Sequence, residues 1–545
     1  MIHKKLCKIK NKYLGNLIRK NVCGGGWRYL ILFLMCIYIV IGIIIVSDYS
    51  VSTDEPNERR TMYINLNYIT TLLGKEPMDV PELDSYVDKY YGIFLQMPTA
   101  LFEVGHKGLD YIYHYRHLYT FCVCIAGYIA FCFMCQKIFD SYPLALLGTV
   151  MIALYPRFFG EQFYNIKDMF FVASYMFAMW ATYIIIEGNF TWKKIIIFSF
   201  ISALATNVRI VGAIFVILLI GYMWIAYVLE KGFAAGYYKL TWKRTLLVSI
   251  AIIAFYFAFL VLMYPVAWES PVHTMVEIFS KFSNYDDWSG AIVFMGNIIS
   301  KEELPWNYIP VWMLISIPIW YILLFFITGI LAVCKVILKI KKKDKLVDLF
   351  FQYKYFIWCA LLAIVPMGAI LVKHATLYSG WRHCYFLLPP LIIFILFGID
   401  YIIKKGKKGC RIACFALIIL GMTLQIRWIC INHPYEMVYF NSIGKTWAAD
   451  FDRDYWHMAE LQAYEWIMEN DDSDKITINS TGTLFFLNLL DEEQRERVEK
   501  VQEPMYFIET YRGKTGNEVK IEGYEEIHAI VVDNFKIASV FQKKV

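Results

Sequence analysis

Apolar residues in this chain gather into long, nearly uninterrupted runs, and the polar residues are confined to the intervals between them. A helix needs about 20 predominantly apolar residues to cross a bilayer. About eleven runs of that length occur, beginning near Tyr29, Leu118, Tyr142, Met169, Ile195, Ala213, Leu246, Ile309, Tyr355, Phe386 and Ile412. The first, residues 29–46, is too long and its flanks too bulky for a cleaved signal peptide, so it reads as an uncleaved signal-anchor helix. The pattern predicts an all-α polytopic membrane protein.

Lysine and arginine orient the runs, because short cytoplasmic loops are enriched in them. The segment before the first run carries Lys4, Lys5, Lys8, Lys10, Lys12, Arg19, Lys20 and Arg28. Lys193-Lys194, Lys243-Arg244, Lys341-Lys342-Lys343 and Lys404-Lys405 with Lys407-Lys408 then occupy alternate connections. The N-terminus is therefore expected inside and the C-terminus outside, in a multi-pass protein of the cell membrane. The expected organisation is a basic cytoplasmic N-terminus at 1–28, a transmembrane domain at 29–431 and an extracytoplasmic C-terminal region at 432–545. The outer connections are then a long first loop at about 47–117, a short one at 156–168, one around Arg209, a long one at 264–308 and one at 373–385. The C-terminal region has mixed polarity and reads as a small α/β appendage, with a helix near 459–468 and strands near 475–479 and 527–532. Its Asn479-Ser480-Thr481 sequon is accessible in that reading and matters only in a glycosylating compartment.

Composition agrees with the runs. Hydrophobic residues make up 58% and charged residues 18% of the 545, against roughly half and about 25% in average soluble domains. The net charge of +6 is accounted for by the inner lysines and calls for no nucleic-acid partner. Of the thirteen cysteines, Cys122, Cys124, Cys132 and Cys135 have a metal-like spacing. They lie in an apolar run, however, where thiolate ligands lack the polar surroundings they need. Only Cys384 and Cys430 fall near the outer surface, so no disulfide framework is visible.

Charges at the outer ends of the runs change the picture most. Ionisable groups at membrane depth cost roughly 2.5–3.5 kcal/mol on insertion scales and mark substrate paths or paired sites. The outer face holds Asp54-Glu55, Arg116-His117, Arg157, Lys167-Asp168, Arg209, Lys373 and Arg382-His383: a basic ring around an acidic pair. In Ser52-Thr53-Asp54-Glu55-Pro56 the pair could serve as a helix cap. Two adjacent carboxylates equally suit proton abstraction from a hydroxyl or coordination of a divalent cation. An outer Arg can be an interfacial anchor, and Lys167-Asp168 a local ion pair. Arg209 is a lone charge inside a long apolar stretch, and a guanidinium is well suited to bidentate binding of phosphate.

These residues fall in an order that resembles the glycosyltransferase family 39-like group, bacterial relatives of the dolichyl-phosphate-mannose protein mannosyltransferases and the lipid A aminoarabinose transferases. The matching stretches are Thr53-Asp54-Glu55, Pro156-Arg157-Phe158-Phe159 and Tyr164-Asn165-Ile166-Lys167-Asp168. Asn207-Val208-Arg209-Ile210-Val211-Gly212, Tyr264-Pro265 with Trp268, and Leu304-Pro305-Trp306-Asn307-Tyr308 follow. Trp381-Arg382-His383, then His433-Pro434-Tyr435-Glu436-Met437-Val438-Tyr439-Phe440-Asn441 and Asp454-Tyr455-Trp456 close the series, which spans about residues 28–460. His457 stands where the family's pattern has Gly, and the last eighty or so residues match nothing in it.

The resemblance implies a GT-C fold and inverting transfer of a hexose or pentose from a polyprenyl-phosphate donor to a hydroxyl of a protein, lipid or cell-surface glycan. Carried onto this chain, it makes Asp54 the candidate base and Glu55 its companion. Arg157, Lys167, Arg209 and Arg382 become candidates for the donor phosphate, and Asp168, His383 and Tyr435 for orienting substrate. A divalent cation held by Asp54 and Glu55 stays open. The rival from another class is a transporter or lipid-linked glycan flippase, but neither internal symmetry nor broken helices near mid-membrane are evident in the sequence. A polysaccharide polymerase or ligase would concentrate its key residues in one late loop, and a non-catalytic partner-binding protein would leave Asp54-Glu55 as a cap.

Overall fold

A computed structural model describes residues 26–105, 108–187, 190–233, 241–283, 288–341 and 345–544. The basic segment 1–25 and Lys342-Lys343 lie outside the described residues. Helix α1 spans Gly26–Asp48, α2 Glu55–Leu72, α3 Leu109–Phe139, α4 Tyr142–Ala153, α5 Pro156–Tyr164, α6 Asp168–Ile186 and α7 Trp192–Val208. Then follow α8 (Ile214–Phe233), α9 (Trp242–Met263), α10 (Pro271–Ser283), a hairpin of β1 (Ile292–Phe294) and β2 (Asn297–Ile299), α11 (Tyr308–Ser316) and α12 (Ile319–Lys341). After α13 (Leu346–Gln352), α14 (Lys354–Lys373), α15 (Leu388–Lys405) and α16 (Lys408–Asn432) complete the helical body.

Nine helices among the described residues are long and apolar enough to cross a membrane, and ten spans result if the bent α4–α5 pair counts as one. With α7, only 17 residues long, each of the eleven expected runs has its helix. Their packing follows a few broad faces: α3 lies on α4 and α6, α6 on α7, α7 on α9, and α15 on α4, α12 and α14. The two ends of the bundle separate chemically. At one end, Arg28 meets Tyr142 and Lys354 pairs with Glu187; the other end carries Asp54, Asp168, Arg209 and Arg382.

Three expectations need correction. The segment 156–168 is not a short loop: α5 occupies most of it and is buried throughout. Pro156 disfavours helical backbone at the preceding residue, Tyr155 is extended, and α4 and α5 meet at a 65° bend. The run from Ile309 is likewise broken. Ile317 before Pro318 is extended, so α11 stops and the spanning helix is α12. The third correction concerns the second span: α3 starts at Leu109 rather than Leu118 and runs 31 residues, about 46 Å at 1.5 Å per residue. Arg116 and His117 therefore sit on a helix and are buried, not in the first loop.

The C-terminal region is the expected α/β appendage. Helix α17 (Ala459–Asn470) is followed by β3 (Ile476–Ser480), α18 (Glu492–Arg497), β4 (Val498–Lys500), β5 (Tyr506–Thr510), β6 (Tyr524–Val532) and β7 (Phe535–Lys543). The sheet order is β4-β3-β5-β7-β6; β3 is parallel to β4 and β5, and β7 is antiparallel to β5 and β6. The sequon Asn479 lies on β3, its amide donating to the Val501 carbonyl at 2.8 Å, rather than on an open loop. Arg453 joins the appendage to the helices. Its fully buried guanidinium donates to the carbonyls of Lys514, Gly516 and Lys536 and to Asn517 Oδ1, at 2.7–3.1 Å.

Candidate active site

The turn between α1 and α2 separates its two acids. Asp54 is the N-cap of α2, but its side chain makes no capping bond. Glu55 turns back instead, accepting from Ser52 N at 2.8 Å and Ser52 Oγ at 3.1 Å, and meets His117 Nε2 at 3.0 Å. Glu55 is wholly buried, and these contacts supply the partners a buried carboxylate requires. Asp54 is left 40% exposed, 3.3 Å from Arg382 Nη1.

Asp168 holds the basic groups together from the first turn of α6. One oxygen pairs with Arg209 and the other accepts from Arg382 Nη1 at 3.2 Å, while Asn165 Nδ2 adds a third donor at 3.2 Å. Lys167 is not its local ion partner. Its ammonium reaches Glu58 at 2.7 Å and sits 3.7 Å from the centre of the Tyr91 ring. Burial works against the Lys167 charge, yet Glu58 and then Asp54 hold its pKa above the ordinary lysine value. Gln96 fixes Glu58 in turn, donating at 2.6 Å.

Local backbone aims each cation. Helix α7 ends where Arg209 goes extended (φ −148°, ψ 132°), and the chain then doubles back so tightly that a Cβ on Gly212 would lie 2.4 Å from the Ala205 carbonyl carbon. Arg382 follows a turn with positive φ at Ser379 and Gly380. Its guanidinium lies between two rings, 5.1 Å from that of Tyr378 and 4.5 Å from that of Trp456, contacts that favour a desolvated cation. Asp454 explains the neighbouring motif: it accepts from the backbone N–H of Met458 and Ala459 and so caps α17, while Tyr455 donates to Glu161 at 3.0 Å.

Asp54, Lys167, Arg209, Lys373, Arg382 and His383 all line one cavity of about 250 Å³. Of the residues singled out in the sequence, the structure thus gathers Asp54, Lys167, Arg209, Arg382 and His383 there, with Asp168 buried directly behind. Arg157 is elsewhere. It is buried, donates to the Tyr439 carbonyl at 3.1 and 3.3 Å and packs against Trp312 and Phe440. Tyr435 donates to Gln462 of α17, away from the cavity lining. Arg116 pairs with Glu103. Sequence reasoning missed Glu58 and Gln96, which set Lys167, and gave no role to Lys373, although it marked that residue as an outer charge.

Such a cavity can hold an anion against several cations while presenting one partly exposed carboxylate to it. The Asp54 and Glu55 carboxylates do not converge as a ligand pair, since both oxygens of Glu55 are engaged by Ser52 and His117. Among the described residues no group of three His, Cys, Asp or Glu side chains gathers as cation ligands. The eleven described cysteines are free.

No protein-family model and no curated protein matches the chain. Among solved structures it is similar to ArnT from Cupriavidus metallidurans bound to undecaprenyl phosphate, at 10% identity over 94% of this chain and 98% of that one, with a TM-score of 0.42. It is also similar to the archaeal oligosaccharyltransferase AglB from Archaeoglobus fulgidus in complex with an inhibitory peptide and a dolichol-phosphate, at 10% identity over 85% of this chain and 64% of that one, with a TM-score of 0.47.

Proposed function

We propose that this protein is an integral membrane glycosyltransferase that moves a sugar from a polyprenyl-phosphate donor to an acceptor hydroxyl on the outer face. The observation that carries this reading is the cavity itself. Four separate stretches of chain deliver Asp54, Lys167, Arg209 and Arg382 to one enclosure at one end of the helices.

Transfer with inversion needs a base for the acceptor proton and stabilisation of the departing phosphate as an oxocarbenium-like centre forms. Asp54 takes the proton from the acceptor hydroxyl, the hydroxyl oxygen forms the new bond at the sugar carbon, and the bond from that carbon to the phosphate oxygen breaks. Arg209, Arg382 and Lys167 receive the charge left on the phosphate; groups already in place for such a charge are worth about 3–4 kcal/mol each. Asp168 orients the two guanidiniums, and Glu55 holds the turn that presents Asp54. The alternation of basic connections along the sequence supports an N-terminus inside and this cavity on the outer face of the cell membrane.

The test is release of polyprenyl phosphate by purified protein in nanodiscs given labelled polyprenyl-phosphate sugar and a crude extract of cell-surface glycans and glycolipids. Acceptor-dependent release is the expected result. Intact donor, carried unchanged across a sealed vesicle, would favour the flippase reading instead.

A further inference from the structure

Charge is unevenly committed around the cavity. Lys167 is matched by Glu58, and Arg209 and Arg382 are matched by Asp168 and Asp54. Three cations thus meet three carboxylates, and this set has no net charge with which to draw in an anion. Lys373 is different. It lines the same cavity, and among the described residues its ammonium enters no ion pair or hydrogen bond.

The local structure explains its place. Helix α14 ends at Lys373, where His374 takes a left-handed conformation (φ +48°) and turns the chain aside. Every residue from Lys373 to Tyr378 then lines the cavity, and the same connection goes on to deliver Arg382. Ile370, one turn before Lys373 on the same helix face, lines it as well, while Ile364 and Val372 are exposed on this membrane-spanning helix. Helix α14 therefore borders the bilayer with one side and the cavity with another. A lysine in the last turn of a helix also complements the macrodipole or anchors the helix at the membrane surface. Neither role calls for a position in the wall of a cavity whose other cations are already neutralised.

We propose that Lys373 is the donor-capture residue: its uncompensated charge gives the cavity its net attraction for an anion and binds the phosphate of the arriving lipid directly. This assignment rests on the function proposed above. It divides the cations by task. Arg209, Arg382 and Lys167, held by carboxylates, are set for the charge that develops during transfer, whereas Lys373 supplies the pull on the phosphate before transfer begins. The headgroup of a bulk phospholipid offers the same chemistry at a membrane surface, so the test sets the two lipids against each other.

The full chain is placed in phosphatidylcholine nanodiscs at pH 8, above the ordinary histidine range. Undecaprenyl phosphate, undecaprenol and phosphatidylglycerol are added in turn, and each affinity is read from the rise in thermal unfolding temperature with ligand. Wild type is expected to prefer undecaprenyl phosphate to undecaprenol and to phosphatidylglycerol. K373Q should weaken undecaprenyl phosphate about tenfold, as loss of a charged hydrogen bond implies, and leave undecaprenol unchanged. K373R should restore most of the loss, and added salt should erode the preference of wild type more than that of K373Q. An undecaprenyl phosphate affinity unchanged in K373Q overturns the assignment. So does an equal weakening of undecaprenol, which would show a role in packing or in holding the tail. Phosphatidylglycerol binding as tightly as undecaprenyl phosphate, with the same loss in K373Q, would show an interfacial anchor and overturns it too. A wild type without preference for undecaprenyl phosphate over undecaprenol counts against the proposed function itself, and the capture role falls with it. A preference kept in full by K373Q strikes Lys373 alone.

Discussion

Replacing Asp54 by Asn separates chemistry from folding. The substitution keeps the size of the side chain and removes its charge. No capping bond is lost, because the Asp54 side chain makes none. Its ion pair with Arg382 is 3.3 Å long on a side chain 40% exposed, and exposed pairs contribute only about 0.2–1 kcal/mol. Arg382 keeps Asp168 at 3.2 Å and its two aromatic neighbours. Unfolding is therefore expected to shift by less than about 1 kcal/mol. Loss of a general base costs about a hundred- to ten-thousand-fold in rate, or about 2.7–5.5 kcal/mol of barrier at 1.36 kcal/mol per tenfold. Donor affinity should hold or tighten, since a carboxylate beside Arg382 has become neutral. The assay is polyprenyl-phosphate release under saturating donor, with thermal unfolding followed on the same preparation. A kcat within tenfold of wild type in a normally folded variant refutes the role of Asp54 as base.

Arg209→Ala should lower kcat about a hundredfold or more, as loss of about 3–4 kcal/mol of stabilisation of the departing phosphate implies, and raise the KM for donor as well; an unchanged kcat and donor dependence remove Arg209 from the phosphate site. Arg453→Met strands three carbonyl acceptors that the guanidinium now satisfies, each costing about 1–3 kcal/mol. Chymotrypsin cleavage at Trp447, Phe451, Tyr455 and Trp456 should accelerate, and an unchanged digestion rate contradicts the account. Burial pushes the Asp452 pKa up to about 7, above its unfolded value near 3.9. The folded state therefore holds a proton that the unfolded state has released, and its stabilising contribution is complete below about 3.9 and lost as the pH rises through about 7. Because Asp452 accepts from Val293 in the β1–β2 hairpin, the hydrogen-exchange protection factor of the hairpin, corrected for the intrinsic pH dependence, should fall from pH 5 to pH 8 in wild type and hold in Asp452→Asn.

The spanning helices were legible because the bilayer demands apolar runs of fixed length, whatever their tertiary partners. Pro156 and Pro318 marked the interruptions, but whether a proline ends a span or bends it depends on what the next segment packs against. Arg157 shows the limit at the site. A guanidinium that satisfies a backbone carbonyl inside the protein and one that awaits a substrate have the same letter and the same apolar neighbours in sequence. Arg209, Arg382 and Lys167 were legible as misplaced charges, whereas Glu58 and Gln96 were not, because their position on a first-loop helix and turn gives no period pointing at Lys167. The resemblance described above has Gly where this chain has His457, and the backbone there is left-handed, at φ +60°.

Asp168 has a consequence for turnover. With Arg209 and Arg382 sharing its carboxylate, and Lys167 already held by Glu58, three of the cavity's cations carry carboxylate partners of their own. An arriving phosphate exchanges one set of anionic partners for another, and a departing one leaves behind counter-charges ready to take its place. On the proposed function, the same carboxylates that weaken the grip on the donor keep the spent lipid phosphate from becoming a permanent occupant.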